Sequence, residues 1–193
     1  MERDEVARQA WVDHATTLPA RRVTVVDETS THLDMSSRYA RAPRGQRAFA
    51  QQRRNYGKNV TLLAGLRLDG MCAPFVVEGG VDTAVFETYV THVLLPTLRR
   101  GDIVVLDNLP VHKTLQVRGL FLAKGVKLLF LPAYSPDLSP IENAFAKLKA
   151  LLRRARAQTV EALTEAIAQA LASVSPYDAI GYFINAGLLN LDQ

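Results

Sequence analysis

The sequence lacks several features that define large classes of protein. It contains one cysteine in 193 residues, Cys72, which excludes an internal disulfide bond and a thiolate zinc cluster. It has no run of about 18 apolar residues, so we expect no membrane span. The first residues carry charges of both signs without an apolar stretch, so we expect no secretory signal. These absences predict a cytoplasmic protein without a membrane partner.

The composition is that of an ordinary globular chain, with 48% hydrophobic and 22% charged residues. The net charge of +4 hides an uneven distribution, because residues 38–58 and 147–156 contain basic residues and no acid. We expect these segments to contact a polyanion, and nucleic acid is the favoured one. The basic residues that we expect to bind DNA are Arg38, Arg41, Arg44, Arg47, Arg53, Arg54, Lys58, Lys147, Lys149 and Arg153.

The order of predicted elements indicates an α/β fold. Residues 1–20 predict a helical lead-in, and short β-branched runs after it predict buried strands. Two of the early strands form a hairpin that turns at Asp69 and Gly70. Strands and helices alternate after that, which predicts a mixed central sheet of about five strands with helices on both faces.

Two aspartates follow predicted strands. Asp27 ends the run VTVV, and Asp107 ends the run IVVL. A strand-ending Asp is often a turn or cap residue, but functional groups of open α/β sheets gather at the carboxyl ends of strands. Two aspartates in equivalent positions therefore favour a shared site.

Glu142 allows two interpretations. The sequence Ser139-Pro140-Ile141-Glu142 matches a capping box, in which the glutamate satisfies the start of a helix. Glu142 also lies beside the apolar stripe of the predicted helix, where it can face a site at the edge of the sheet. Three acids converging there would suit Mg²⁺ or Mn²⁺, and two such ions can cleave a phosphodiester.

Three segments carry a resemblance to a known family. VVDET, VVLDNLPVHK and LPAYSPDLSPIENAFAKLK, within about residues 21–157, resemble the catalytic core of DDE transposases. The 34 residues between Asp107 and Glu142 are similar to the spacing of the bacterial insertion-sequence branch of the mariner superfamily. The resemblance implies a ribonuclease-H-like fold and metal-dependent strand cleavage and strand transfer at transposon ends.

On this resemblance Asp27, Asp107 and Glu142 form the catalytic and metal-binding triad, with two Mg²⁺ or Mn²⁺ ions as cofactors. The motif neighbours are Glu28, Asn108, His112 and Asn143. The implied partners are the transposon ends and target DNA, a second copy of the chain in a homodimer, and a separately encoded helix-turn-helix protein. The implied location is the bacterial nucleoid.

We expect three regions: a lead-in at 1–20, a catalytic domain at 21–175, and a C-terminal segment at 176–193 that packs on it. About 20 residues before the first catalytic strand are too few for a helix-turn-helix domain.

Three other functions remain open from the sequence. One is a nuclease of the same fold that cuts without joining, and another is a non-catalytic DNA-binding remnant of a transposase. A doubly wound small-molecule enzyme ranks last, because DETSTH stands where a glycine-rich phosphate loop would follow the first strand.

Overall fold

A computed structural model describes residues 3–33, 35, 41–49 and 59–189. Its centre is a five-stranded sheet in the order β3-β2-β1-β4-β5. The strands are β1 (Val23–His32), β2 (Asn59–Arg67), β3 (Gly70–Glu78), β4 (Ile103–Leu106) and β5 (Lys127–Phe130). The first three strands are antiparallel, whereas β4 pairs in parallel with β1 and β5 in parallel with β4. The predicted mixed sheet is confirmed.

Six α-helices of the described residues cover the sheet. They are α1 (Glu5–Ala15), α2 (Thr83–Tyr89), α3 (Leu115–Lys124), α4 (Pro140–Ala155), α5 (Val160–Ala172) and α6 (Pro176–Asn185). Polar residues define their starts: the side chain of Asp82 accepts from the N–H of Val85 at α2, and that of Thr114 accepts from Val117 at α3. No helix in these ranges is long and apolar enough to cross a membrane.

Each face of the sheet has its own core. Helices α1, α4, α5 and α6 supply Trp11, Phe145, Ile167 and Phe183 to the core on one face. The other core lies under α2 and α3 and includes Phe86 and Phe121. Helices therefore lie on both faces, as predicted, and α4 is placed directly against β1.

The first strand is longer than the sequence predicts. The pattern of residues ends it at Asp27, but β1 continues to His32. The reason is the hairpin partner: β2 pairs with β1 from Val25 through His32, so its hydrogen bonds hold the strand extended beyond the carboxylates. On the other side of β1, the parallel strand β4 ends near Asp27. Beyond that point β1 has no paired strand of the described residues on this side.

Candidate active site

The pairing of β1 with β4 places Asp27 beside Asp107. Val25 and Val105 are register partners, and each aspartate lies two residues after one of them. Since side chains alternate along a strand, Asp27 lies on the same face of the sheet as Val25, which is the face that α4 covers. The two aspartates therefore meet at the carboxyl end of the parallel pair, as the sequence predicts.

Glu142 reaches the same place from α4. It stands in the first turn of that helix and is exposed to solvent. The capping box is not formed, because the Ser139 hydroxyl makes no cap hydrogen bond. The backbone N–H of Glu142 donates to the Ser139 carbonyl at 3.3 Å. The carboxylate of Glu142 is thus left available to the site.

A cleft of about 720 Å³ joins the three acids. Asp27, Asp107 and Glu142 line it together with Glu28 and Asn108, and the rest of the wall comes mainly from the proline-rich loop of residues 131–136. None of the lining residues is Lys or Arg. The cleft consequently concentrates four carboxylates without a cationic side chain in its wall.

The electrostatics of Asp27 reflect this crowding. Burial raises the pKa of the Asp27 carboxyl, and the nearby carboxylates of Asp107 and Glu142 raise it further. The backbone N–H of Glu28 donates to Oδ1 of Asp27 at 2.7 Å and lowers this pKa in part. The resulting pKa is about 7, compared with an ordinary 3.8. A nearby cation would reverse the penalty on the charged form.

His112 fixes the orientation of Asp107. The ring is buried, with Nδ1 at 2.5 Å from Oδ1 of Asp107, and the N–H of Leu109 donates to the same oxygen at 3.1 Å. The ring also lies 4.2 Å from that of Phe86, centroid to centroid. Because both donors use Oδ1, the other carboxylate oxygen of Asp107 receives no hydrogen bond from a described residue.

Glu28 follows Asp27 on β1 and approaches the second ring nitrogen of His112. Its Oε2 is 3.8 Å from Nε2 of His112, which is an ion-pair distance rather than a hydrogen bond. Burial lowers the pKa of His112, but the hydrogen bond with Asp107 and the charge of Glu28 outweigh it and raise the pKa to about 9. The protonated ring therefore offsets part of the negative charge of Asp107 and Glu28.

The donor set fits a divalent cation. Hard oxygen ligands are what Mg²⁺ and Mn²⁺ prefer, and crowding of acids is relieved by a bound cation. The carboxylates border the cleft without enclosing one point, since no three His, Cys, Asp or Glu side chains of the described residues have the mutual distances of a closed metal site.

The remaining predicted residues are divided between the cleft and the rest of the surface. Asn108 lines the cleft, whereas Asn143 does not. Lys147 is engaged by other residues of the chain, because its Nζ donates to the Ser173 carbonyl and to Asp178, both at 2.8 Å. Arg41, Arg44 and Arg47 are exposed, and Lys149 and Arg153 are half-buried. Arg38, Arg53, Arg54 and Lys58 lie outside the described residues.

Two residues of the cleft are missed by the sequence pattern. Tyr134 is 63% exposed and has a φ of 55°, a conformation that a bulky side chain rarely adopts. Ser139 is buried, and its hydroxyl has no hydrogen-bond partner. The sequence carries no signal for the backbone angle of Tyr134. For Ser139 the match to a capping box predicts a hydrogen-bonded hydroxyl, whereas the structure leaves that hydroxyl without a partner among the described residues.

Known proteins resemble this chain in sequence. Over 78 residues it is 38% identical to the Transposable element Tc1 transposase of Caenorhabditis elegans, a match covering 40% of this chain and 29% of the relative. Over 85 residues it is 33% identical to the Tcb1 transposase of Caenorhabditis briggsae, covering 42% and 31%. The chain thus spans less than a third of each nematode transposase.

Solved structures resemble it in fold. A Mos1 mariner paired-end complex with Mn superposes with a TM-score of 0.82 at 20% identity, covering 97% of this chain and 61% of that one. The Mos1 transposase catalytic domain with Raltegravir and Mn gives 0.75 at 17% identity, covering 97% and 92%. These likenesses confirm the ribonuclease-H-like fold.

The family is given by the sequence match to a whole domain. Residues 22–164 match the family described as DDE superfamily endonuclease, and this range contains Asp27, Asp107 and Glu142. Because the match covers well over half of the sequence, the chain belongs to the DDE superfamily of endonucleases.

Proposed function

We propose that this chain is the catalytic domain of a DDE transposase that cuts DNA at transposon ends and joins the ends to a target. The observation that carries the proposal is the meeting of Asp27, Asp107 and Glu142, from β1, β4 and α4, at one cleft. The similarity to the Tc1 transposase supports the same function. The substrates are the phosphodiesters of the transposon end and of the target DNA.

Asp27, Asp107 and Glu142 would hold Mg²⁺ or Mn²⁺, and we propose two ions. The Mos1 structures with Mn and with Mg support this choice of metals. When bound, such ions activate an attacking oxygen and stabilise the leaving oxygen at phosphorus. Strands β1 and β4 and helix α4 bring the three acids to one cleft. His112 binds Oδ1 of Asp107 and so orients this carboxylate with its other oxygen available to a metal.

The finer assignments rest on the sequence. The 34-residue spacing supports the bacterial insertion-sequence branch, and with it a place in the bacterial nucleoid. We propose residues 21–175 as the catalytic domain, with 1–20 as its lead-in and 176–193 packing on it. The burial of Ala179 and Phe183 on α6 supports that packing.

A homodimer in the active complex and a separately encoded helix-turn-helix partner complete the proposal. The Mos1 paired-end complex supports the assembly of this fold on transposon ends. The basic residues of 38–58, with Lys149 and Arg153 on α4, are the proposed DNA contacts. Lys147 belongs to that set only if DNA displaces its contact with Asp178.

A strand-transfer assay tests the function. The chain is incubated with Mn²⁺ and a target plasmid, together with either intact duplexes that contain the inverted repeats flanking its gene or pre-cut duplexes that end in those repeats. Wild-type protein should yield joined product, and Glu142→Gln should not. A chain that cuts these repeats but never joins them is a nuclease, and one that binds without either reaction is a non-catalytic remnant; each result would overturn the proposal.

A further inference from the structure

A second cavity, of about 560 Å³, opens at the other end of the sheet. It is formed where β1 and β4 begin and β2 ends, and Arg21, Arg22, Arg67 and Arg99 line it. Thr24 on its wall is three residues before Asp27 on β1, which is about 10 Å along the strand. The cavity and the acidic cleft are therefore separate sites at opposite ends of the parallel pair.

The charge of this cavity is opposite to that of the cleft. Four arginines face two carboxylates, those of Asp69 and Asp102, and Asp102 already accepts a hydrogen bond from the backbone N–H of Arg99 at 2.7 Å. In the part of the chain that the structure describes, none of the four guanidinium groups takes part in an ion pair. Cations gathered without partners repel each other, and a bound anion would relieve that repulsion.

Arg67 is held in place before any ligand arrives. Its Nε donates to Oγ1 of the buried Thr24 at 2.9 Å, and its Nη2 donates to the carbonyl and to Oγ1 of Thr97, both at 3.0 Å. No described residue accepts a hydrogen bond from its Nη1. Such a fixed guanidinium loses little conformational entropy when it binds an anion.

Gly101 leaves room for the side chain of Arg22. A Cβ built on this glycine would lie 2.7 Å from Nη1 of Arg22, and the glycine has a φ of +86°, which favours a residue without a Cβ. Any larger residue would push the guanidinium away. The backbone at Gly101 thus leaves room for Arg22 in the cavity that Arg67 also lines.

The lining selects phosphate groups rather than bases. Guanidinium groups match the oxygens of phosphate in geometry and charge. No aromatic side chain lines the cavity among the described residues, so it offers no surface on which a nucleobase could stack. Arg21, Arg22 and Arg99 are exposed at the rim, an arrangement that suits a backbone running across the opening.

We propose that this cavity is a second DNA-backbone site, in which Arg22 and Arg67, flanked by Arg21 and Arg99, bind phosphates of a DNA segment other than the one in the acidic cleft. The inference rests on the proposed function, because a transposase handles both transposon ends and target DNA. It adds a contact surface that lies outside the two basic segments of the sequence.

The test is the salt dependence of DNA binding, measured by fluorescence anisotropy with a labelled duplex of arbitrary sequence and without divalent cation. The slope of log K against log salt becomes shallower by about 0.9 for each phosphate that the protein no longer neutralises. Arg22→Gln/Arg67→Gln should therefore bind with a slope shallower than wild type by about 1.8. Arg118→Gln/Lys124→Gln removes the same charge from α3, away from both cavities, and should keep the wild-type slope.

Arg67 also ties β1 and β2 to Thr97, so its replacement can unfold the protein. Arg22→Gln/Arg99→Gln leaves those hydrogen bonds intact and should reduce the slope by a similar amount. A wild-type slope in this folded variant, or an equal reduction in the α3 control, would overturn the inference. Because no metal is present, this experiment measures DNA binding without cutting or joining. Its result therefore tests the arginine cavity even if the strand-transfer assay fails.

Discussion

Among single residues, Glu142 is the side chain whose two roles the structure separates most clearly. The sequence fits both a capping box and a metal ligand, because both place a glutamate in the first turn of a helix. Taken alone, the Ser-Pro-Ile-Glu pattern favours the cap, and the two roles can also coexist. In the structure Ser139 makes no cap hydrogen bond, and Glu142 lines the acidic cleft. The geometry of the cap, which the sequence cannot specify, is what favours the metal ligand.

Glu142→Gln should separate stability from activity. Glutamine keeps the shape of the side chain and loses the charge that a divalent cation requires of its ligand. The free energy of unfolding should change by no more than about 0.5 kcal/mol, as is usual for an exposed position. Cleavage of intact transposon-end duplexes and joining of pre-cut ones should both fall by orders of magnitude. Near wild-type joining by this variant would remove Glu142 from the triad.

Ser139→Ala and Ser175→Ala form a matched pair of helix-start substitutions. Ser175 makes a complete capping box with Asp178 at the start of α6, so its replacement should destabilise the protein by about 1 kcal/mol. Ser139 caps nothing and buries an unpaired hydroxyl, so its replacement should be neutral or slightly stabilising. Urea unfolding compares the two. Equal destabilisation by both variants would mean that Ser139 does cap α4 in solution.

Among the elements, α1 shows how a correct prediction of a helix can miss its function. The sequence predicts the lead-in helix with Val6, Ala10 and Trp11 as its apolar contacts. Trp11 is indeed buried, but Val6 is 81% exposed and Ala10 is exposed, and Arg8 and Ala15 complete the buried side. Arg8 donates from Nη1 and Nη2 to the two carboxylate oxygens of Asp137, at 3.1 and 2.6 Å. This pair joins α1 to the loop that leads into α4, a distant contact that no local pattern predicts.

Replacing Arg8 tests whether α1 supports that loop. Arg8→Met keeps the apolar stem and leaves Asp137 without its bidentate partner, so the thermal midpoint should fall and the response to Mn²⁺ should weaken. Arg3→Met is the control, because Arg3 is half exposed and touches the same carboxylate only at 3.4 Å. Its effect on the midpoint should be much smaller. If the two variants behave alike, the Arg8 pair does not anchor the loop.

The contact between α4 and α6 predicts a pH dependence. Hydrogen bonds from Lys147 and Ser175 lower the pKa of Asp178 to about 2. A lowered pKa contributes stability above the ordinary value of about 4, and the contribution is lost as the pH falls through about 2. Asp178→Asn should therefore be less stable than wild type at neutral pH, with the difference shrinking in acid. Urea unfolding across that range measures it, and a deficit independent of pH would contradict the ion-pair account.

At the scale of the whole molecule, the sequence predicts the sheet well because its strands are set by local patterns. The β2–β3 hairpin turns at Asp69 and Gly70, and β4 is a fully buried apolar run, so each is recognisable alone. The length of β1 depends on pairing with β2, which is separated from it by the basic segment. Long-range pairing of this kind is invisible to local periodicity.

The two charged cavities also differ in how far the sequence predicts them. The acids of the cleft can be predicted because each follows or begins a recognisable element. The arginine cavity cannot, since Arg22, Arg67 and Arg99 are scattered along the chain and belong to no basic run. Only the order of the strands brings them together, at the end of the sheet where β1 and β4 begin.

The most direct test of the account is the effect of Mn²⁺ on thermal unfolding. Ligand that binds only the folded state at about 100 times its Kd stabilises it by about 2.7 kcal/mol, which is roughly 5–10 °C in a domain of this size. Wild-type protein and the control Asp13→Asn/Asp69→Asn, which changes two exposed acids, should show this rise. Asp27→Asn/Asp107→Asn should show none. An undiminished rise in the Asp27→Asn/Asp107→Asn variant would place the ion elsewhere and contradict the central claim.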